Sequence, residues 1–554
     1  MNPRQLIASI FAALFVVSAC GAASNSASDT VPFAAKAYPA TGSAPCTKDT
    51  PGLAKVESTD EHTVVFTLCE PDAAFLQKLS IMPYTIDDSG HLAAAVADGT
   101  LSQVPNGTGP FKFTTWEQGA NITLSRNDAY WGEKAKAKSL VFQWNTEPSG
   151  RLIALKSATA DAVSIVSPSD YADVTSDPSL QLVPRDPLSV AYLGFNNTFK
   201  PFDDLRVRKA IALAIDRQRI LDTFYPAGST LAPAFTPCTI EFACAGDAWY
   251  EQDLDQAKTL LAEAGFPNGF ETTLVYRNIP RTHTPFPMEI ATDIQDQLKK
   301  IGINAVLEEQ EPTVYLTNAT TGGFTGLFLG GFNADYPDAT NFMTYFFGAQ
   351  SRDKRFGDHI PSMTEPIAAA GSSINPAVRA AKYAEANNAL KENVVVVPLV
   401  HAASAAAFLA DVKNAHTSPI ELERISQMKP GKRDALVWVL GVEPAGLYCP
   451  DEADADTFRV CAQISEGLYG FGIGKTTIEP RLATECTASK NLLTWTCTLR
   501  EGVTYHNGAR FDATDVVDSF AAIWDCANPL HVGRTKTFKY WSLFSSYLNP
   551  EACD

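Results

Sequence analysis

The sequence predicts a mixed α/β protein folded as two or three lobes. Three observations carry that prediction. The chain has 554 residues, more than one hydrophobic core serves. Amphipathic helical segments alternate with short apolar runs, and no fixed repeat relates them. Hydrophobic residues make up 45% and charged residues 19%, the composition of an ordinary globular protein.

The elements follow in chain order. Met1–Gln5 carries one Arg, and "LIASIFAALFVV" (6–17) is apolar but short for a bilayer span. It runs into Val17-Ser18-Ala19-Cys20, which matches a bacterial lipobox, so residues 1–19 are expected to be a lipoprotein signal peptide and Cys20 the lipidated N-terminus. Residues 20–40 are mostly small and polar and are expected to form a flexible tether. "DDLRVRKAIALAIDRQRILDTFY" (203–225) opens on an Asp pair suited to a helix N-terminus and is expected to be one helix. "DLDQAKTLLAEAG" (253–265) is amphipathic and stops at Gly265. In 288–301, Ile290, Ile294, Leu298 and Ile301 share one helical face, Gly302 ends it, and "INAVLEE" reads as the next strand. "LLTWTCTLREGVTYHNG" reads as strand and turn, and 512–525 as a capped helix. No segment after residue 19 is apolar enough for a membrane span.

The net charge of −18 argues against nucleic acid and against an anionic membrane surface as partners. Setting Cys20 aside, ten of the eleven cysteines remain, an even number in an exported chain. Local closure suggests Cys46–Cys69, Cys238–Cys244, Cys449–Cys461, Cys486–Cys497 and Cys526–Cys553, although spacing alone leaves connectivity open. There is no Cys-x-x-Cys and the eight His are scattered, so no metal or cofactor is expected. "YGFGIGKT" (469–476) has Tyr469 where a phosphate-binding loop needs Gly, and reads instead as a glycine-rich turn. Gly-x-Ser-x-Gly and His-Glu-x-x-His are absent. No enzyme activity is expected.

From residue 56 onward, "VESTDEHTVVFTLCEPDAAFL", "GTGPFKF", "RNDAYWG", "FNNTFKPFDDLRVRKAIALAIDR", "GFNADYPDATNF" and "VVVVPLVH" follow one another in order. The chain resembles, through these stretches, the extracytoplasmic solute-binding proteins of peptide and nickel ABC importers (family 5). The family's opening region is missing from the front and resembles material at the back. "DALVWVLGVEP" is similar to its first strand, "ISEGLYGF" (464–471) to its first helix, and 478–520 to its next hairpin and helix. The resemblance therefore implies a circularly permuted member, with "QMKPGKR" (427–433) joining the old ends. Nearby termini and exposed loops make such a rearrangement physically accessible. The competing arrangement is two truncated tandem copies, or a swapped dimer.

The implied fold is the type II periplasmic-binding-protein architecture, three lobes with a hinge-closing cleft. The expected division is 41–106 with 467–554 as a small accessory lobe, 107–195 with 413–466 as the first ligand-binding lobe, and 196–412 as the second. The resemblance also implies site roles. Asp335 would grip a ligand's α-ammonium, with Phe332 and Asn333 beside it and Phe332 standing where the family has Trp. Arg281 would pair with a ligand carboxylate, Arg277 being its competitor, and Glu443 would face the cleft from the other lobe. Asp335 and Asp338 capping turns around Pro337 is the plainer alternative. The implied function is a lipid-anchored, monomeric receptor of an ABC importer, outside the cytoplasm. It would deliver oligopeptides or similar polar solutes to a permease with its ATPase subunits, and would touch the membrane only through its lipid. An oligosaccharide or metal chelate as ligand, and a surface sensor or adhesion protein, are the alternatives.

Overall fold

The computed structural model describes residues 33–47, 52–535 and 538–553. Cys20, the expected signal peptide and most of the expected tether lie outside them. Residues 35–554 form one compact unit built on three main sheets. None of the described helices is long and apolar enough to cross a membrane.

The seven-stranded sheet runs Phe111–Glu117, Asn121–Arg126, Ser139–Trp144, Ala435–Leu440, Ala162–Val163, Ser404–Leu409, Leu180–Arg185. Ala435–Leu440 lies in its middle, parallel to both Ser139–Trp144 and Ala162–Val163. That strand is buried on both faces, so its sequence is a continuous apolar run rather than an alternation. The six-stranded sheet runs Thr230–Leu231, Val396–His401, Ser189–Phe195, Leu327–Asn333, Glu271–Tyr276, Asn304–Glu309. The five-stranded sheet draws Ala37–Tyr38, Leu53–Asp60 and Thr63–Leu68 from one end of the chain and Thr494–Leu499 and Ala483–Ala488 from the other. Thr63–Leu68 and Thr494–Leu499 are direct antiparallel neighbours, so the two distant segments complete one sheet.

Several expectations need correction. Residues 203–225 form two helices, Leu205–Ala214 and Arg217–Phe224. The break falls where Asp216 turns extended and its carboxylate accepts the Arg219 N–H, starting a second helix. The helix expected at 464–471 lies earlier, at Ala455–Ile464, opened by Asp454 accepting from Thr457 N–H. Tyr469–Phe471 is instead a short strand paired with Ile478–Pro480. Sheet membership also departs from the expected lobe boundaries. Ser189–Phe195 belongs to the six-stranded sheet and Ser404–Leu409 to the seven-stranded one. The chain therefore passes between these sheets through Asp186–Leu188 and through Ala402–Ala403.

All ten described cysteines pair as their local spacing suggested. Cys486 and Cys497 face each other across the hairpin Ala483–Ala488/Thr494–Leu499. Cys526–Cys553 ties the last turn to the end of the helix Ala513–Trp524.

Two buried carboxylates hold remote segments together. Glu466 accepts from Thr108 Oγ1 (2.9 Å), Tyr130 Oη (2.8 Å) and Trp131 Nε1 (2.8 Å). The "GTGPFKF" and "RNDAYWG" motifs thus serve packing: a Cβ at Gly107 would meet the Ile464 carbonyl oxygen at 2.1 Å. Glu423 sits between Arg185 (2.7 Å) and Arg459 (2.7 Å). Burial alone would raise its pKa, but the two guanidiniums prevail and bring it down to about 2.

Candidate ligand site

Glu271–Tyr276 and Leu327–Asn333 are parallel neighbours, with Leu274 opposite Leu327. Their C-terminal ends leave the sheet on one edge, where open α/β sheets bind ligands. The second strand reads Leu-Phe-Leu-Gly-Gly-Phe-Asn, and its two glycines let rings lie on the backbone. A Cβ at Gly330 would meet the Tyr192 ring at 2.6 Å, and one at Gly331 the His283 ring at 2.1 Å.

Phe332 stacks on Tyr345 with centroids 5.6 Å apart and planes 13° from parallel, and presents an edge-on contact to Phe346 at 4.9 Å. It is half-buried, forming an aromatic wall. Asn333 is exposed and its Oδ1 lies 3.0 Å from His283 Nδ1. Burial drives the His283 pKa down to about 3, so the ring is neutral and donates from Nδ1 to Asn333.

Asp335 follows on the same edge. Its N–H donates to Asn341 Oδ1 (2.8 Å), and Asn341 Nδ2 returns a bond to its carboxylate (3.1 Å). Tyr540 and Lys539 lie within electrostatic range of this carboxylate. Burial raises the Asp335 pKa, while Asn341, Tyr540 and Lys539 oppose that rise. Among the described residues Asp335 has no salt bridge. Asp338 behaves differently. It accepts from Thr340 N–H (2.9 Å) in the turn that leads into the helix Thr340–Phe347, and it pairs with buried Arg379 (2.7 Å). The turn alternative thus describes Asp338, and Asp335 too is tied locally, through Asn341, though without a salt bridge among the described residues.

Tyr540 comes from the turn Lys539–Leu543, 205 residues beyond Asp335. It is positioned by Tyr84, whose hydroxyl donates to the Tyr540 carbonyl (2.7 Å), and by an edge contact with Phe458 at 5.6 Å. Buried Trp541, beside it, packs against Tyr84 and Trp524. No motif in "FKYWSL" marked this segment as part of the site.

Arg281 is exposed at the turn after Glu271–Tyr276, its backbone bridged both ways to Thr284 at 3.1 and 3.0 Å. Arg277 lies one residue past the strand, with its guanidinium 5.5 Å from the Tyr315 ring centroid. Glu443 does not stand with these groups by any contact. Its carboxylate accepts from Trp116 Nε1 (3.0 Å) and Gly119 N–H (3.0 Å), closing the hairpin between Phe111–Glu117 and Asn121–Arg126.

Comparison with known proteins places this architecture. The family model described as bacterial extracellular solute-binding proteins, family 5 middle, matches residues 22–354 and 477–539. The chain belongs to that family. Di/tripeptide-binding protein 1 of Pseudomonas aeruginosa is 30% identical over 391 residues, 69% of this chain and 72% of its own length. Heme-binding protein A of Haemophilus influenzae is 30% identical, covering 66% and 68%. Among solved structures, an ABC transporter-associated periplasmic binding protein of Helicobacter pylori, in complex with the peptide STSA, aligns with a TM-score of 0.60 at 26% identity, over 69% of this chain and 75% of that one. Family members are extracytoplasmic substrate-binding components of transporters.

Proposed function

We propose that this chain is the lipid-anchored peptide receptor of an ABC importer, working as a monomer and handing its ligand to a membrane permease. A short peptide lies along the edge of the six-stranded sheet. Asp335 accepts its α-ammonium together with Tyr540, Phe332 walls one side, and Arg281 takes the terminal carboxylate. The observation that carries this reading is Asp335, a partly buried carboxylate with no salt bridge among the described residues and only Lys539 within electrostatic range. A carboxylate desolvated in this way is stabilised by a ligand cation. Closure of the two larger lobes on the ligand turns occupancy into a docking signal, because only the closed form presents both lobes to the permease.

We further read the chain as a permuted family member folded from a single copy. Support comes from Ala435–Leu440 taking a central place among strands from the front of the chain. It also comes from Glu423 bridging Arg185, ahead of the joint at 427–433, to Arg459 behind it. Relatives that align over only about seven-tenths of both chains are what a relocated segment produces.

Thermal unfolding against di- and tripeptides tests the function. A ligand at 100 times its dissociation constant adds about 2.7 kcal/mol. The expected result is a peptide-induced rise in melting temperature for the wild type that Asp335→Ala abolishes. A wild type unmoved by every peptide, but raised by a sugar or a metal chelate, would overturn the peptide assignment.

A further inference from the structure

The charges at the strand edge do not balance. Arg277 is half-buried and, among the described residues, its guanidinium has neither an ion pair nor a hydrogen bond. Its neighbours make matters worse: burial lowers its pKa, and Arg281 and Arg355 lower it further. Arg281 is also without a side-chain partner among the described residues. Arg355 is already spent. Asp353 holds it with two bonds, Nε to Oδ1 at 2.8 Å and Nη2 to Oδ2 at 2.6 Å, and its Nη1 donates to Tyr192 Oη at 2.7 Å. His283, beside both unpaired arginines, is buried and stays neutral. The edge thus carries two uncompensated cations, Arg277 and Arg281, in a chain whose net charge is −18. A partly desolvated guanidinium left unpaired in so acidic a protein is a position prepared for an anion.

The two cations differ in setting. Arg281 stands in solvent at a turn, within reach of a terminal carboxylate. Arg277 lies deeper, over Tyr315 and beside the Tyr192 and Arg355 pair, one residue past the strand Glu271–Tyr276. Tyr345, which stacks on Phe332, is within electrostatic range of Asp335 and also of Arg355 and Tyr192. One carboxylate can serve two arginines when both reach it, as Arg185 and Arg459 reach Glu423. Arg281 at the exposed turn and half-buried Arg277 over Tyr315 stand in different settings, so a terminal carboxylate held by Arg281 leaves Arg277 for a second anion.

We propose that Arg277 makes this receptor selective for peptides with an acidic C-terminal residue, the side-chain carboxylate pairing with Arg277 while the terminal carboxylate pairs with Arg281. This rests on the peptide reading above and names the ligand class within it. A peptide with one ammonium and two carboxylates neutralises Asp335, Arg277 and Arg281 together. A neutral isostere leaves Arg277 unpaired on closure, a penalty of about tenfold or more in affinity.

Calorimetric titration with the isosteric pair Ala-Glu and Ala-Gln, alongside Ala-Ala, tests it on the whole chain. The wild type is expected to bind Ala-Glu about tenfold or more tightly than Ala-Gln, with the preference shrinking as salt rises. Arg277→Gln should erase the preference while leaving Ala-Gln affinity within about threefold. Arg277→Lys, which keeps the charge, should retain part of it, and ligand-free melting of both variants checks that they fold. Equal affinity of the wild type for Ala-Glu and Ala-Gln overturns the inference and leaves the peptide reading intact. Equal weakening of both peptides by Arg277→Gln also overturns it, since that marks Arg277 as a general support. Absence of binding by all three peptides brings down the peptide reading itself, and the inference with it.

Discussion

Glu423→Gln is the sharpest test of how the two halves of the chain are joined. Glu423 is fully buried, and so are its partners Arg185 and Arg459. Arg459 also lies over the Trp438 ring at 5.7 Å, and Trp438 Nε1 donates to Ser164 Oγ at 2.8 Å. The carboxylate therefore links the strand Leu180–Arg185, the segment before the joint, the central strand Ala435–Leu440 and the helix Ala455–Ile464. Its folded pKa of about 2 lies well below the ordinary glutamate value of 4.5. At about 1.36 kcal/mol per unit, that depression corresponds to roughly 3 kcal/mol of stability. Gln also takes a counter-charge from two buried guanidiniums, of which Arg459 keeps Asp456, and breaking a buried pair costs about 3–5 kcal/mol. Because the folded pKa is depressed, the contribution is fully present above the unfolded value. It is lost as pH falls from about 4.5 toward about 2. Denaturant unfolding followed by Trp fluorescence should place the variant about 3–5 kcal/mol below the wild type at pH 7. The gap should narrow as pH is lowered through 4.5. A deficit under about 1 kcal/mol, or a gap that ignores pH, would refute the reasoning.

Two further outcomes follow from the same architecture. Glu466→Ala strips an acceptor from Thr108, Tyr130 and Trp131 at once, and should cost about 3–5 kcal/mol in equilibrium unfolding; Glu466→Gln, which keeps one acceptor oxygen, should cost less. Cleavage by trypsin after exposed Lys432, within the proposed joint, should leave the two fragments associated on a sizing column with nearly the parent melting temperature, since Ala435–Leu440 is held between parallel neighbours on both sides. Dissociation of the fragments would contradict a single-copy fold.

Local chemistry was the most legible part of the sequence. Ile290, Ile294 and Leu298 bury one helical face as their spacing implies. Asp512 and Asp515 form the capping box expected of a helix opening there. Neighbouring cysteines closed locally in all five cases. Sheet membership was not legible for Ser189–Phe195 or Ser404–Leu409. Both are almost wholly buried, so neither carries the alternation that would tell one sheet from another. Residues 203–225 kept a helical pattern through a break that only Asp216 betrays. Of the site, Asp335 and Phe332 were reached through a family resemblance and not through spacing. Tyr540 was invisible because its place near Asp335 depends on Tyr84 and Phe458, drawn from two remote segments, and on the packing of its neighbour Trp541. Glu443 looked available because its partners, Trp116 and Gly119, are more than 300 residues away in the chain.

The central claim is that Asp335 receives a peptide's ammonium, and removing only that ammonium tests it most directly. Calorimetric titration of the whole chain with Ala-Ala and with N-acetyl-Ala-Ala compares ligands that differ at that end. The account predicts that acetylation weakens binding by about a hundredfold, since it leaves a desolvated carboxylate without its cation. It also predicts that Asp335→Asn narrows the difference to a few fold. Equal affinity of the two ligands for the wild type would contradict the assignment of Asp335.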